Sequence, residues 1–294
     1  MVSKLTLSFD AIGTGWVIDI YDDFANGENL ENEILEIISK FSKVFSRFDP
    51  NSEVSKAAGS SYIISISDQY KKLINLYFDL YKLTNGKFTP LIGNLLEDAG
   101  YNKDYSLKSG TLRAVPRWGE VIFWSNKELK INTPVTLDFG AAGKGFLVDL
   151  IGKFLESEGI INYCIDAGGD ILYKTTTDTK LKVGLENPDN FSQAIGICTI
   201  KNQSICGSSG NRRKWDKYNH IFDPDKLESV KKIKAVWVIS DEAYIADGLS
   251  TALFLKDAET FKSVYNFEYL IIYKDNQFKK SINFPGEVFS KTEV

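Results

Sequence analysis

The residues able to do chemistry are concentrated in a few short segments, and the scarcest is histidine: His220, in N-H-I-F-D-P at 219–224, is the single copy. A lone imidazole excludes any site built on several histidines and leaves chemistry to carboxylates, hydroxyls, backbone amides and a hard metal ion held through oxygen. L-D-F-G-A-A-G-K-G at 137–145 reads as a strand end turning into a helix, which presents unpaired amides at a positive helix terminus, a seat for phosphate. It is neither a Walker A loop nor a Rossmann fingerprint, and a tight turn with a solvated Lys144 is an equal alternative. In A-D-G-L-S-T at 246–251, Asp247 and Thr251 lie four apart on one helical face, an oxygen pair suited to Mg²⁺. The alternative there is a solvent-facing aspartate and a threonine bonded to its own helix. Gly248 costs its helix ~1 kcal/mol relative to alanine, which implies another backbone close by.

Three further segments are less specific. S-R-F-D-P-N-S-E-V-S at 46–55 reads as turn and capping residues, with Asp49, Ser52 and Glu53 in those parts. N-G-K-F-T-P at 85–90 is a helix stop followed by a restart. Ser208, Ser209, Gly210 and Asn211 offer hydroxyls and amides to a phosphate, upstream of a His220 that is either a chemical group or a hydrogen-bonded structural one.

These segments need elements to hold them. Leu5 to Phe9 and Trp16 to Tyr21 read as strands of an opening hairpin across Ile12-Gly13-Thr14-Gly15. Stripes at helical spacing run from Leu30 to Phe45 and from Leu73 to Tyr81, the second ended by Asn85-Gly86. Strands are expected at Val121 to Trp124, Leu129 to Ile131, Val135 to Asp138, Tyr163 to Asp166, in short pieces through Ile205, and at Ala235 to Ile239. A helix from about Lys144 to Glu158 is stopped by Gly159, and another starts near Ser240 or Asp241. With no repeat and no interdomain linker, the mixed order of elements indicates an α+β fold.

Composition narrows the setting. A net charge of −4 and a pI near 5.3 give no broad electrostatic reason to bind nucleic acid. The densest basic group, Lys231, Lys232 and Lys234, reads as a solvated loop before a strand. Cys164, Cys198 and Cys206 lack the spacing of zinc sites or disulfide scaffolds and are expected as buried thiols. Met1 to Asp10 alternates like a strand, without the pattern of a signal peptide, and no apolar stretch approaches a membrane span. The chain as written is therefore expected to be cytoplasmic, or periplasmic or lipid-anchored if a leader was removed.

Taken in order, the segments resemble the ApbE-like family of FAD:protein FMN transferases. G-T-G-W at 13–16 is similar to the family's G-T-x-[WY], and S-R-F-D-P-N-S-E-V-S to its S-x-[FY]-x-x-x-S-E-[IL]-[SN]. L-D-F-G-A-A-G-K-G-F-L-V-D resembles [LV]-D-[LF]-[GS]-[GA]-[IA]-[AG]-K-G-Y-x-x-D, and N-Y-C-I-D-A-G-G-D-I resembles the family's [NA]-[AG]-G-[GD]-[DN]-[IL] run. H-I-F-D-P and A-D-G-L-S-T match the family's later segments. The chain departs at Thr89, where the family usually has aspartate, at 225–228 after the D-P, where it commonly has a T-G turn, and at Arg212 or Arg213, near which it usually has tyrosine.

The resemblance implies one α+β, T-fold-like domain of mixed sheets and packed helices over 1–294, single or of two lobes. It further implies Mg²⁺, FAD as substrate and an acceptor protein bearing a target Ser or Thr. Position by position, it makes Asp247, Thr251 and the Ala141 carbonyl metal ligands, with Ser250 a further metal-side contact. It places Ile12, Phe48, Lys87, Phe88, Thr89, Asp138 and Lys144 against FAD, Phe48 beside the isoalloxazine. His220 is then the candidate base or orienting group for the incoming hydroxyl, and Asp247 the indispensable carboxylate. Two readings of the same site stay open: an FAD pyrophosphatase yielding FMN and AMP, and a flavin-binding protein with impaired catalysis.

Overall fold

The opening hairpin forms as its alternation requires: β1 (Leu5–Ala11) and β2 (Thr14–Ile20) pair antiparallel. Its turn is shorter than the four residues expected. Ile12 and Gly13 alone connect the strands, with φ of 44° and 79°, the doubly left-handed geometry of the tightest hairpins. The structure, a computed structural model, describes residues 4–23 and 27–289, so Met1, Val2 and Ser3 of the first expected strand lie outside the described residues.

Further elements follow along the chain. They are α1 (Gly27–Phe45), α2 (Glu53–Lys56), β3 (Tyr62–Ser65), α3 (Lys71–Leu83), α4 (Gly93–Asp98), α5 (Trp118–Val121), β4 (Ile122–Trp124), β5 (Glu128–Ile131) and α6 (Gly143–Ser157). The strands β6 (Tyr163–Ala167), β7 (Asp170–Lys174), β8 (Leu181–Asn187), β9 (Asn190–Ile200) and β10 (Gln203–Ser209) come next. Four two-residue strands follow, β11 (Lys214–Trp215), β12 (Tyr218–Asn219), β13 (Phe222–Asp223) and β14 (Glu228–Ser229). The chain continues with β15 (Ile233–Ser240), α7 (Ala243–Ala252), α8 (Glu259–Lys262), β16 (Glu268–Tyr273), β17 (Phe278–Lys280) and β18 (Gly286–Val288).

Eight strands make one antiparallel sheet in the order β1-β2-β6-β7-β10-β15-β16-β17. Period-two alternation divides its residues between two cores. Ile165, Leu172, Cys206, Val236 and Val238 join the core on the helix side, with α1, α3, α6 and α7. Their chain neighbours Cys164, Tyr173, Ile205, Ala235, Trp237 and Ile239 join a second core. That core is covered by a smaller sheet of order β18-β9-β8 through Leu185, Cys198 and Ile200. Burial on both faces explains why 235–239 is an unbroken apolar run rather than an alternating one. All three cysteines are free, buried thiols, as expected.

Four sequence expectations are corrected. Val135 to Asp138 is extended but is not a strand: its amides go to separate partners, Val135 N–H to the Ala57 carbonyl (3.1 Å), Thr136 N–H to Asn94 Oδ1 (3.1 Å) and Asp138 N–H to the Pro90 carbonyl (2.8 Å). No ladder forms because no single neighbouring strand runs alongside. Val121 closes the short helix α5 instead of opening β4. Lys234 lies within β15, with Nζ bonded to Asp189 and to Asn276 at 2.7 Å, so only Lys231 and Lys232 fit a solvated loop. At Gly248 the close neighbours are the side-chain ends of Leu76 and Leu80, 3.0 and 3.1 Å from an added Cβ, rather than a backbone. The close backbone approach is at Gly145, where an added Cβ would lie 2.3 Å from the Ala243 carbonyl oxygen.

Candidate active site

The glycine-rich turn and A-D-G-L-S-T meet at that close approach. Gly145 in the first turn of α6 donates its N–H to Asp247 Oδ2 of α7 at 2.8 Å, so the amide-bearing helix start and the carboxylate are one unit. Burial and the negative charge of Asp170 push the Asp247 carboxyl well above the usual carboxylate range, against the pull of Lys144 and the Gly145 N–H. Asp247 is thus neither solvent-facing nor paired on its surface. Thr251 Oγ1 lies 3.1 Å from Ser208 Oγ of β10, whose hydroxyl is also 2.7 Å from Ser250 Oγ. Ser250 donates to the Asp247 carbonyl at 2.8 Å and is fully buried, so it supports the turn of α7 from behind.

Lys144 is only partly exposed, and its ammonium is engaged. Its Nζ donates to the Ala167 carbonyl at 2.9 Å and pairs with Asp170 at 2.5 Å. Burial alone would lower its pKa, but the Asp170 and Asp247 charges outweigh that, and the ammonium's pKa rises. Asp138 is held from two sides: its Oδ1 accepts the Gly140 N–H at 2.7 Å, and its Oδ2 meets Arg47 Nε at 2.5 Å. Arg47 also donates to the Tyr101 carbonyl at 3.0 Å and lies under the Phe48 ring, 4.2 Å from its centroid. The Ala141 N–H donates to the Tyr77 hydroxyl at 3.1 Å, which anchors the turn between Asp138 and Gly143.

The helix stop at 85–86 is built by φ of 57° at Asn85 and 89° at Gly86. Behind it, the Phe88 N–H donates to Thr84 Oγ1 at 2.9 Å, and Thr89 Oγ1 caps the restarted 3₁₀ turn by accepting the Leu91 N–H at 3.2 Å. Lys87 Nζ reaches Asp223 of H-I-F-D-P at 2.6 Å, tying the two segments together. Between β12 and β13, His220 keeps a buried Nδ1 with no hydrogen-bond partner among the described residues. Burial, then the charge of Arg213, pushes its pKa down to about 4, so the imidazole is neutral at pH 7.

One cavity of about 1080 Å³ is lined by every candidate site residue except Ser250: Ile12, Phe48, Lys87, Phe88, Thr89, Asp138, Ala141, Lys144, His220, Asp247 and Thr251. That volume exceeds the range of drug-sized sites. Sequence reasoning passed over Arg47 and Asp170, though each stands in a segment it singled out, and it named Ser208 without its tie to α7. Their partners lie 91, 26 and 42 residues away, beyond the reach of local spacing.

Among the described residues no cluster of three or more His, Cys, Asp or Glu is placed to hold a metal. A hydroxyl, a carbonyl and one carboxylate form a different donor set, the all-oxygen kind that suits Mg²⁺ while leaving positions for water and phosphate oxygens. The buried Asp247 fits such an ion, since a cation there would relieve the cost of ionising it beside Asp170.

The fold and site define an α+β protein in which the start of α6, one face of α7, an antiparallel sheet and a histidine-bearing loop enclose one large cavity of acids, hydroxyls and cations. The chain belongs to the ApbE family, whose model matches residues 12–271. It is 27% identical over 296 residues to the FAD:protein FMN transferase of Buchnera aphidicola subsp. Schizaphis graminum, covering 93% of this chain and 87% of the relative. It is 29% identical over 257 residues to the FAD:protein FMN transferase of Chlamydia muridarum, covering 78% and 77%. Among solved structures, the ApbE protein of Thermotoga maritima superposes with a TM-score of 0.79 at 23% identity, covering 95% of this chain and 97% of that one. The flavin transferase ApbE from Vibrio cholerae gives 0.77 at 22%, covering 94% and 96%.

Proposed function

We propose that this chain, as one domain over 1–294, is an FAD:protein FMN transferase. It uses Mg²⁺ to move FMN from FAD onto a serine or threonine hydroxyl of an acceptor protein, releasing AMP. The observation that carries this reading is the lining of one cavity by Asp247, Thr251, Ala141, Asp138, Lys144 and His220, which the sequence scatters over more than a hundred residues. Asp247, Thr251 and the Ala141 carbonyl would hold the ion. When bound, Mg²⁺ neutralises pyrophosphate charge and the charge developing on the leaving oxygen.

The chain's own groups supply the rest. The expected phosphate seat of unpaired amides is not formed, because the Gly140, Ala141, Ala142, Gly143 and Gly145 N–H groups are spent on Asp138, Tyr77, the Phe139 carbonyl and Asp247. Lys144, fixed by Asp170 and Ala167, brings charge to the phosphates at a set position. Phe48 lies beside the isoalloxazine, the Lys87 to Thr89 segment contacts FAD, and Ile12 closes the site at the hairpin turn. His220, neutral at physiological pH, takes the proton of the acceptor hydroxyl as its oxygen bonds to the FMN-side phosphorus. The bridging P–O bond breaks, and its electron pair leaves on AMP.

No helix among the described residues is long and apolar enough to cross a membrane. The decisive experiment incubates the protein with FAD, Mg²⁺ and candidate acceptors and reads flavin attachment by mass spectrometry. Asp247→Ala abolishes attachment if the carboxylate holds the ion, and parental transfer by that variant would refute the assignment. FMN and AMP released with no acceptor labelled would make the protein a pyrophosphatase instead.

A further inference from the structure

The small sheet has an unpaired edge, and that edge forms part of the cavity wall. β8 is the terminal strand of the order β18-β9-β8. Leu181, Lys182, Val183, Gly184 and Glu186 all line the cavity. Side chains of successive strand residues point to opposite faces, so a strand that contributes nearly consecutive residues turns its edge, not a face, toward the space.

The hydrogen-bond phase of that edge follows from its neighbours. On the far side of β9, the Thr199 N–H donates to the Pro285 carbonyl, and the Ile195 carbonyl accepts the Phe289 N–H. Odd-numbered β9 residues therefore direct their backbone groups away from β8, and even-numbered ones direct theirs toward it. Gly196, Cys198 and Ile200 stand opposite Leu185, Val183 and Leu181, so these three β8 residues spend their backbone groups on β9. Lys182 and Gly184 then present N–H and C=O outward, and both are exposed. No backbone hydrogen bond outside the sheet ladders engages either one among the described residues.

We infer that this edge is the docking strand for the acceptor, which adds an extended segment antiparallel or parallel to β8 and delivers its hydroxyl toward His220. The inference rests on the transferase reading. An acceptor polypeptide must enter the cavity, and an open strand edge in the wall recognises any extended main chain while leaving side chains free to set preference. Near the end of β8, Glu186 forms a two-point pair with Arg212 (3.0 and 2.6 Å), which joins the edge to the loop leading to His220. The exposed Lys182 favours an acceptor with acidic residues beside its target hydroxyl.

Gly184 provides the test. An added Cβ there meets only the Ala194 Cβ at 3.8 Å, so the position takes a side chain without a clash. Gly184→Pro deletes one outward N–H without touching the β9 ladder, and proline is tolerated at such an edge position. The probe is the best substrate from a library of Ser- and Thr-containing peptides scored for gain of the FMN mass. Gly184→Pro raises the peptide's KM about tenfold, the worth of one main-chain hydrogen bond, with kcat and FAD affinity at parental values.

An independent arm needs no variant. N-methylation of the peptide backbone residue by residue, with the unaltered enzyme, weakens labelling at every second position. Equal labelling by Gly184→Pro together with an N-methyl scan lacking the two-residue period overturns the inference and leaves the transferase reading standing. A Gly184→Pro variant that is folded but loses FAD affinity assigns the edge to FAD and also overturns it. If the parental enzyme turns FAD into FMN and AMP but labels no peptide, the transferase reading fails and the inference with it.

Discussion

At the scale of single residues, the site's chemistry depends on groups whose charge state is set by their surroundings. His220 is neutral because burial and Arg213 oppose its protonation, holding its pKa down to about 4 where a free imidazole titrates at 6.5. Between those values the folded chain binds fewer protons than the unfolded one, so stability from this group is lost as pH falls from 6.5 toward 4. Because the chain has one histidine, a single imidazole NMR signal follows it directly. Its midpoint lies near pH 4 in the parent and moves upward in Arg213→Gln; a parental midpoint at 6.5 would remove the neutral base from the mechanism. The presence of His220 and Asp247 was legible in the sequence, as were their segments. The clamps that position the site, Arg47 on Asp138 and Asp170 on Lys144, were not, because an ion pair between distant segments leaves no local pattern.

At the scale of elements, α6 and α7 form the core of the site, and their contact permits no side chain at Gly145. Gly145→Ala would place a Cβ 2.3 Å from the Ala243 carbonyl and 2.7 Å from Asp247 Cβ. It should cost about 3 kcal/mol in denaturant unfolding as the helices separate, with loss of metal-dependent activity. Gly248→Ala meets only leucine ends that can turn aside, and its gain in helix propensity of ~1 kcal/mol offsets the crowding. It should stay within ~1 kcal/mol of the parent in the same measurement.

The start of α7 carries a second constraint. Asp149 accepts the Ala243 and Tyr244 N–H groups, both at 2.9 Å, yet burial raises its pKa to about 6 from 3.8. A folded pKa above the unfolded one means stability present below pH 3.8 and lost as pH rises through 6, up to about 3 kcal/mol. Asp149→Asn removes that loss, so its denaturant midpoint gains on the parent's as pH goes from 4 to 7. A difference that does not change with pH would refute the assignment. Helices were readable here because their stripes are long. The run at 135–138 misled because apolar extension looks the same with or without a neighbouring strand.

At the scale of the whole molecule, the eight-stranded sheet separates two cores, and the cavity opens where the smaller sheet leaves part of the second face uncovered. The α+β class was legible from the order of elements. The two-layer covering was not, since β18 and β9 pair across more than eighty residues. The cysteines fall on both sides of this divide: Cys206 in the helix-side core, Cys164 and Cys198 in the other. Burial pushes the pKa of Cys164 and Cys198 up to about 12 and that of Cys206 well above the usual thiol range, so none is a nucleophile while its layer stays closed. The thiols therefore act as clocks, one set for each layer, started by whichever layer opens. In a timed alkylation read by peptide mass, Cys198 should be marked before Cys206 if the small sheet breathes by itself, and the two together if the molecule opens only as a whole. Cys164 lines the cavity, so bound FAD should stop its clock and leave the one at Cys198 running.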